Sequence, residues 1–239
     1  MKVLLVYPNI HGMNMLPPAI GIFTALLRKN GHIVDLFDST NYQISGEVFD
    51  SDKEKEKNLT VRPFDDSKLR EGMHDTDVFD DFFKKVQDFQ PGLVAFSVTE
   101  DLFPLACGLM SRIEDVDIPI IFGGVFPTFA PYKCLALKGV DMVCIGEGEH
   151  LIVELAGCLE SGREHGDIPG LWVKKKDGIK KNLMGKPVDF SLNPMLDLSL
   201  FEEFSEALAF GSLLSLVLSI VSTTAAGLSK FSNKLFEEL

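Results

Sequence analysis

The stretch that most constrains this chain is 119–149, PIIFGGVFPTFAPYKCLALKGVDMVCIGEGE. A short apolar run at 120–122 ends in Gly123-Gly124. A helical segment follows, and a second apolar run at 142–145 ends in Gly146-Glu147-Gly148-Glu149. The order is strand, glycine turn, helix, strand, glycine turn. In a parallel sheet both turns lie at the carboxyl ends of their strands, the edge where open α/β sheets bind ligands. Glycine has no Cβ to collide, so backbone there can come close to a ligand.

The same alternation runs upstream. Residues 3–7 form a continuous apolar run rich in β-formers, which predicts a strand buried on both faces. The run is too short for a signal peptide. Helical spacing over 19–29 closes at Asn30-Gly31, and 32–37 gives a second strand, making a right-handed parallel crossover. Residues 38–76 differ: 51–57 reads SDKEKEK, with no apolar period, and predicts a solvated insertion. Val78, Phe82, Val86 and Phe89 then recur at helical spacing, with Asp77 placed to cap the helix. Further strands are expected at 93–97, 120–122 and 142–145, and further helices at 102–113 and 149–160. Runs at 171–174 and 180–183 flank Lys176-Asp177-Gly178, a hairpin signal. The lone tryptophan, Trp172, is expected to pack there.

The expected fold class is α/β: a flavodoxin-like, doubly wound five-stranded parallel sheet in the order 2-1-3-4-5, with a C-terminal hairpin and a helical tail. The expected organisation is a Rossmann-like domain over 1–165, a hairpin and linker over 166–200, and an apolar tail over 201–239.

Composition narrows the function. A hydrophobic fraction of 46% supports a sizeable core. A formal net charge of -12 repels phosphate backbones and argues against a nucleic-acid partner. The four cysteines form no C-x-x-C pair and fall mostly in apolar runs. They read as buried thiols in a reducing cytoplasm.

Four loops are expected to gather at the carboxyl edge: 9–18, 97–99, 123–128 and 146–149. They offer hydroxyls, glycine backbone and apolar side chains with few charges, which suits a large, partly apolar ligand. They suit a phosphate poorly. No G-x-x-x-x-G-K-[ST] occurs, and Gly146-x-Gly148 lacks the third glycine of the dinucleotide fingerprint. No nucleophile–base pair is evident among the five histidines. His32 reads as a surface residue, His74 and His165 sit in polar loops, and His150 begins a helix. Only His11 lies in a ligand loop, either as a metal ligand or, more simply, as a plain loop histidine. Glu147 and Glu149 read as partners of a helix dipole, with paired acid–base groups as the alternative.

The segments MKVLLVYPN, LPPAIGIFTALLRKNGHIVDLFD, FGGVFPTFAP and VDMVCIGEGE together resemble the amino-terminal cobalamin-binding domain of cobalamin-dependent radical SAM enzymes, over about residues 1–200. The resemblance implies cobalamin held at the carboxyl ends of the strands, with its nucleotide tail running into the sheet edge. It implies that Ser97 and Thr99 lie beside the tail and that Gly123 and Gly124 let it pass. Val125, Phe126 and Thr128 follow in the same loop. Gly146, Glu147, Gly148 and Glu149 form the last turn, and Asn9, His11, Met13 and Pro18 belong to the loop facing the corrin. The sequence departs from the family in two ways. The D-x-H-x-x-G that places a cobalt-ligating histidine appears here as Asn9-Ile10-His11-Gly12-Met13-Asn14, with only the histidine in register. The C-x-x-x-C-x-x-C that holds a [4Fe–4S] cluster is absent from the sequence. The expectation is therefore a cobalamin-binding module, stand-alone or truncated, with no iron–sulfur cluster in this chain. A separate radical SAM protein is the candidate partner. Two alternatives remain: a subunit that supplies cobalamin to a radical SAM methyltransferase, or a cofactor-free interaction domain.

Residues 207–229 carry no charge, although serines, threonines and two glycines dilute their hydropathy. Three readings stay open: a helix packing on the domain, a membrane anchor on an otherwise cytoplasmic protein, or sequence replacing a catalytic domain. Lys230 and Lys234 flank the far side and would keep it cytoplasmic if the segment spanned.

Overall fold

The computed structural model describes residues 1–10, 17–44, 58 and 73–201. Strand β1 (Lys2–Tyr7) leads to helix α1 (Pro18–Lys29) and strand β2 (Ile33–Asp38). Proline opens α1 at a position where the missing N–H would have had no partner anyway. After the insertion come α2 (Val78–Phe89), β3 (Leu93–Ser97), α3 (Phe103–Ser111) and β4 (Ile120–Gly123). Two short helices follow, α4 (Val125–Phe129) and α5 (Pro131–Leu135), where one helical segment was expected. Pro131 divides them, because proline disfavours helical backbone in the residue before it. Then come β5 (Met142–Cys144), α6 (Glu149–Ser161), β6 (Leu171–Lys175) and β7 (Gly178–Lys181). Asp77 caps α2 as expected: its carboxylate accepts from the backbone N–H of Phe79 at 2.8 Å and of Asp80 at 2.9 Å.

The strands form one sheet in the order β2-β1-β3-β4-β5-β6-β7. The first five are parallel, in the expected 2-1-3-4-5 order. The expected hairpin extends the same sheet, with β6 antiparallel to β5 and β7 antiparallel to β6. It covers the edge of β5, which would otherwise leave its ladder groups unpaired. The hairpin turn is shorter than the sequence suggested. Lys175 pairs with Gly178, so only Lys176-Asp177 lies between the strands.

Side-chain alternation along each parallel strand builds a core on both faces. Leu4, Val6, Val94, Phe96, Phe122 and Val143 pack beneath α2 to α5. Val3, Leu5, Leu93, Ala95, Ile121, Met142 and Cys144 pack beneath α1 and α6. Burying a side chain such as Phe122 or Leu5 contributes roughly 1.5–3 kcal/mol. Cys134, Cys144 and Cys158 are buried and Cys107 half-buried, all as free thiols.

One sequence reading is corrected. His32 is buried and not a surface residue, at 6% exposure. Its Nδ1 lies 3.1 Å from the amino group of Met1 and 3.6 Å from the Glu160 carboxylate. Sequence periodicity missed this because burial comes from elements joining across the sheet's amino edge. The charged run 51–57 and the tail 207–229 lie outside the described residues. Among the described residues, no helix is long and apolar enough to cross a membrane.

Candidate functional site

In the 2-1-3-4-5 order the sheet changes winding direction between β1 and β3, and a crevice is expected at the carboxyl ends there. A cavity of about 180 Å³ lies at that place, between the sheet, α1 and α6. Leu5, Ala95 and Ile121 form its floor. Ala19, Ile20 and Phe23 of α1 face Leu151 and Ile152 of α6 across it. Its mouth is made by Ser97, Gly123, Gly124, Cys144 and the turn 146–149.

The opening exists because small residues stand where larger ones would close it. Ala95 and Ala19 leave room inside. Gly123 leaves room at the mouth, where an added Cβ would sit 3.6 Å from that of Cys144, on the slot side of β4. Gly148 lets the Phe23 ring close the far wall, since a Cβ there would come within 2.8 Å of the ring.

Backbone and hydroxyl bonds tie the mouth together. The Val98 N–H donates to the Gly123 carbonyl at 2.8 Å, and the Phe126 N–H donates back to the Val98 carbonyl at 3.3 Å. The Thr128 hydroxyl donates to the Gly124 carbonyl at 2.9 Å and accepts from the Gly146 N–H at 3.1 Å. The Glu147 carboxylate accepts from the Val188 N–H at 2.5 Å.

The interior is uncharged. Burial, with the Glu149 carboxylate nearby, pushes the Cys144 thiol up to about 12, so it stays protonated at neutral pH and is a poor nucleophile. A dry cavity of about 150 Å³ lined by Leu, Ile and Phe holds a molecule such as benzene. This slot, of similar size and lining, suits the flat apolar end of a larger ligand whose remainder lies over the turns.

Seven of the expected site residues line the slot: Ser97, Gly123, Gly124, Gly146, Glu147, Gly148 and Glu149. The others are placed differently. Asn9 is buried, and its amide donates to the Thr40 hydroxyl at 2.9 Å, so it joins the end of β1 to the chain after β2. Thr99, Pro18 and Val125 are exposed near the same edge. Phe126 is buried on the opposite face, its ring 4.5 Å from that of Phe103. His11 and Met13 lie outside the described residues. Sequence reasoning missed the walls, Phe23, Leu151 and Ile152, which sit within helices and carry no local mark of a site. The available signal was the pair of alanines, Ala19 and Ala95, among larger apolar neighbours.

Residues 64–156 match the B12 binding domain family. The match covers less than half of the chain. A curated relative, the uncharacterized methyltransferase PH0819 of Pyrococcus horikoshii, is 28% identical over 123 residues, covering 50% of this chain and 27% of the relative. The fold is also shared with two solved enzymes. One is the cobalamin-dependent S-adenosylmethionine radical enzyme OxsB with aqua-cobalamin and S-adenosylmethionine bound. It has a TM-score of 0.57 and 21% identity over 86% of this chain and 25% of OxsB. The other is the radical S-adenosylmethionine methyltransferase TsrM of Kitasatospora setae with cobalamin and a [4Fe-4S] cluster bound. It has a TM-score of 0.54 and 21% identity over 81% of this chain and 30% of TsrM. The chain therefore spans less than a third of the length of each. The matched residues include the β3, β4 and β5 side of the slot and both of its glycine turns.

Proposed function

We propose that this chain is the cobalamin-binding module of a radical SAM methyl-transfer system whose iron–sulfur chemistry is supplied from outside this sequence. The observation that carries the reading is the apolar slot at the carboxyl ends of β1, β3, β4 and β5, opened by Gly123 and walled by the turn 146–149. The nucleotide tail enters there past Gly123 and Gly124. Ser97 meets it with a hydroxyl, and Ala95, Ile121 and Ile152 bury its base. Each buried CH₂ or methyl group contributes about 0.8 kcal/mol. Thr99 and Val125, exposed near the same edge, border the corrin.

Bound cobalamin supplies a carrier for the methyl group. This chain's residues bind it, orient it and keep water from the tail. The methyltransferase names of PH0819 and TsrM support the reaction class. The absence of C-x-x-x-C-x-x-C from the sequence supports placing cluster binding outside these residues.

The test is reconstitution with hydroxocobalamin, desalting and absorbance. A retained corrinoid spectrum at near one equivalent is expected. Colourless protein after desalting would refute the reading and leave the cofactor-free interaction domain in its place.

A further inference from the structure

The hydroxyl of Thr128 stands between the two glycine turns that form the mouth of the slot. It donates to the Gly124 carbonyl at 2.9 Å and accepts from the Gly146 N–H at 3.1 Å. The Thr128 backbone N–H adds a bond of 3.3 Å to the same Gly124 carbonyl. Gly124 is in turn fixed to β3, because Val98 exchanges bonds with Gly123 and Phe126 on either side of it. One hydroxyl thus joins the β4 turn to the β5 turn beyond the last residues of their strands. The β4–β5 ladder pairs only Ile121 with Met142 and Phe122 with Val143, so the ladder does not reach the mouth.

We propose that Thr128 is a positioning residue that fixes the width of the slot mouth and acts on the cofactor without touching it. A hydroxyl has one donor and can accept at the same time. Here the donor is spent on Gly124 and an acceptor site on Gly146. Only serine and threonine combine both functions on a side chain short enough for this span. Valine has a similar shape but supplies neither bond. Without the clamp, the turn 146–149 keeps its bonds to Val188, to the Cys144 thiol and to the Ile152 N–H but loses the Thr128 tie to the β4 turn. The mouth then samples widths that grip a tail less well. The Gly146 N–H is on the exposed rim, so water replaces the lost partner and the fold is little affected. This inference rests on the cobalamin-binding reading for its consequence, and on the hydrogen bonds alone for its cause.

The experiment uses the full chain as wild type, Thr128→Val and Thr128→Ser, with two readouts. Hydrogen exchange of the Gly146 amide, measured without cofactor, reports the clamp. It should speed up in Thr128→Val and stay near wild type in Thr128→Ser. Hydroxocobalamin titration reports the consequence. Losing one ordinary hydrogen bond's worth of preorganisation predicts a roughly three- to tenfold weaker affinity for Thr128→Val, restored by serine, with an unchanged unfolding midpoint. Unchanged Gly146 exchange in Thr128→Val would overturn the clamp. Faster exchange with unchanged affinity would overturn its role in positioning. If wild type itself fails to hold cobalamin, the functional reading fails and the positioning role falls with it, an outcome recognised by the wild-type titration alone.

Discussion

The paired glycines should fail in different ways when substituted, and the difference follows from their geometry. Gly124 sits at φ 106 and ψ -169, a region occupied essentially by glycine alone, where another residue costs about 1–3 kcal/mol. A Cβ there would also lie 2.8 Å from the Val98 carbonyl oxygen and 3.0 Å from its nitrogen, both backbone atoms already held in bonds. Gly124→Ala should therefore be a stability variant, with Tm lower by about 2–12 °C for a domain of this size. Gly123 lies outside the positive-φ region, and its Cβ would meet Cys144 at an ordinary 3.6 Å. Gly123→Ala should melt like wild type. Gly123→Val places its methyl groups in the slot, in a strand that accepts β-branched residues. Overpacking of roughly 1–3 kcal/mol then weakens cobalamin binding by about tenfold or more. Thermal melts followed by circular dichroism, paired with hydroxocobalamin titrations, separate the two effects. A Gly124→Ala protein that melts like wild type would refute the backbone reasoning. A stable Gly123→Val protein with undiminished affinity would show that the tail does not enter here.

Three further outcomes are expected. Asp77→Ala removes the cap of α2 and should lower stability by about 0.5–2 kcal/mol in urea unfolding, with no change in cobalamin affinity. Burial, helped by the Met1 ammonium and opposed by Glu160, holds His32 below its ordinary value. The folded state therefore binds fewer protons there than the unfolded chain, and stability should rise with pH towards about 6.5. His32→Gln should flatten that slope in chemical denaturation run across acidic pH, and an unchanged slope would count against it. The incomplete D-x-H-x-x-G leads us to expect that His11→Ala leaves the spectrum of bound cobalamin almost unchanged, whereas a large shift would identify His11 as the cobalt ligand.

The site's chemistry connects to the fold at few points. Small residues on β3 and α1 open the slot, glycines at the ends of β4 and β5 shape its mouth, and one threonine ties those ends together. Charged groups stay at the rim, so the interior remains apolar.

The sequence by itself determined the alternation of strands and helices, because buried parallel strands are short apolar runs and amphipathic helices repeat at three and four. It also located the edge that carries the slot, since glycines after apolar runs mark carboxyl ends. The Asp77 cap was legible because a capping carboxylate acts within three residues. Other features were decided only by tertiary structure. That Phe126 turns away from the slot while Gly123 opens into it depends on which face each residue takes after the strand ends. The burial of His32 depends on Met1 and Glu160, 159 positions apart, arriving at the same place. The walls from Phe23 and Ile152 depend on α1 and α6 lying side by side, a contact between residues more than a hundred positions apart. Periodicity records local geometry, whereas these contacts are set by how the layers pack.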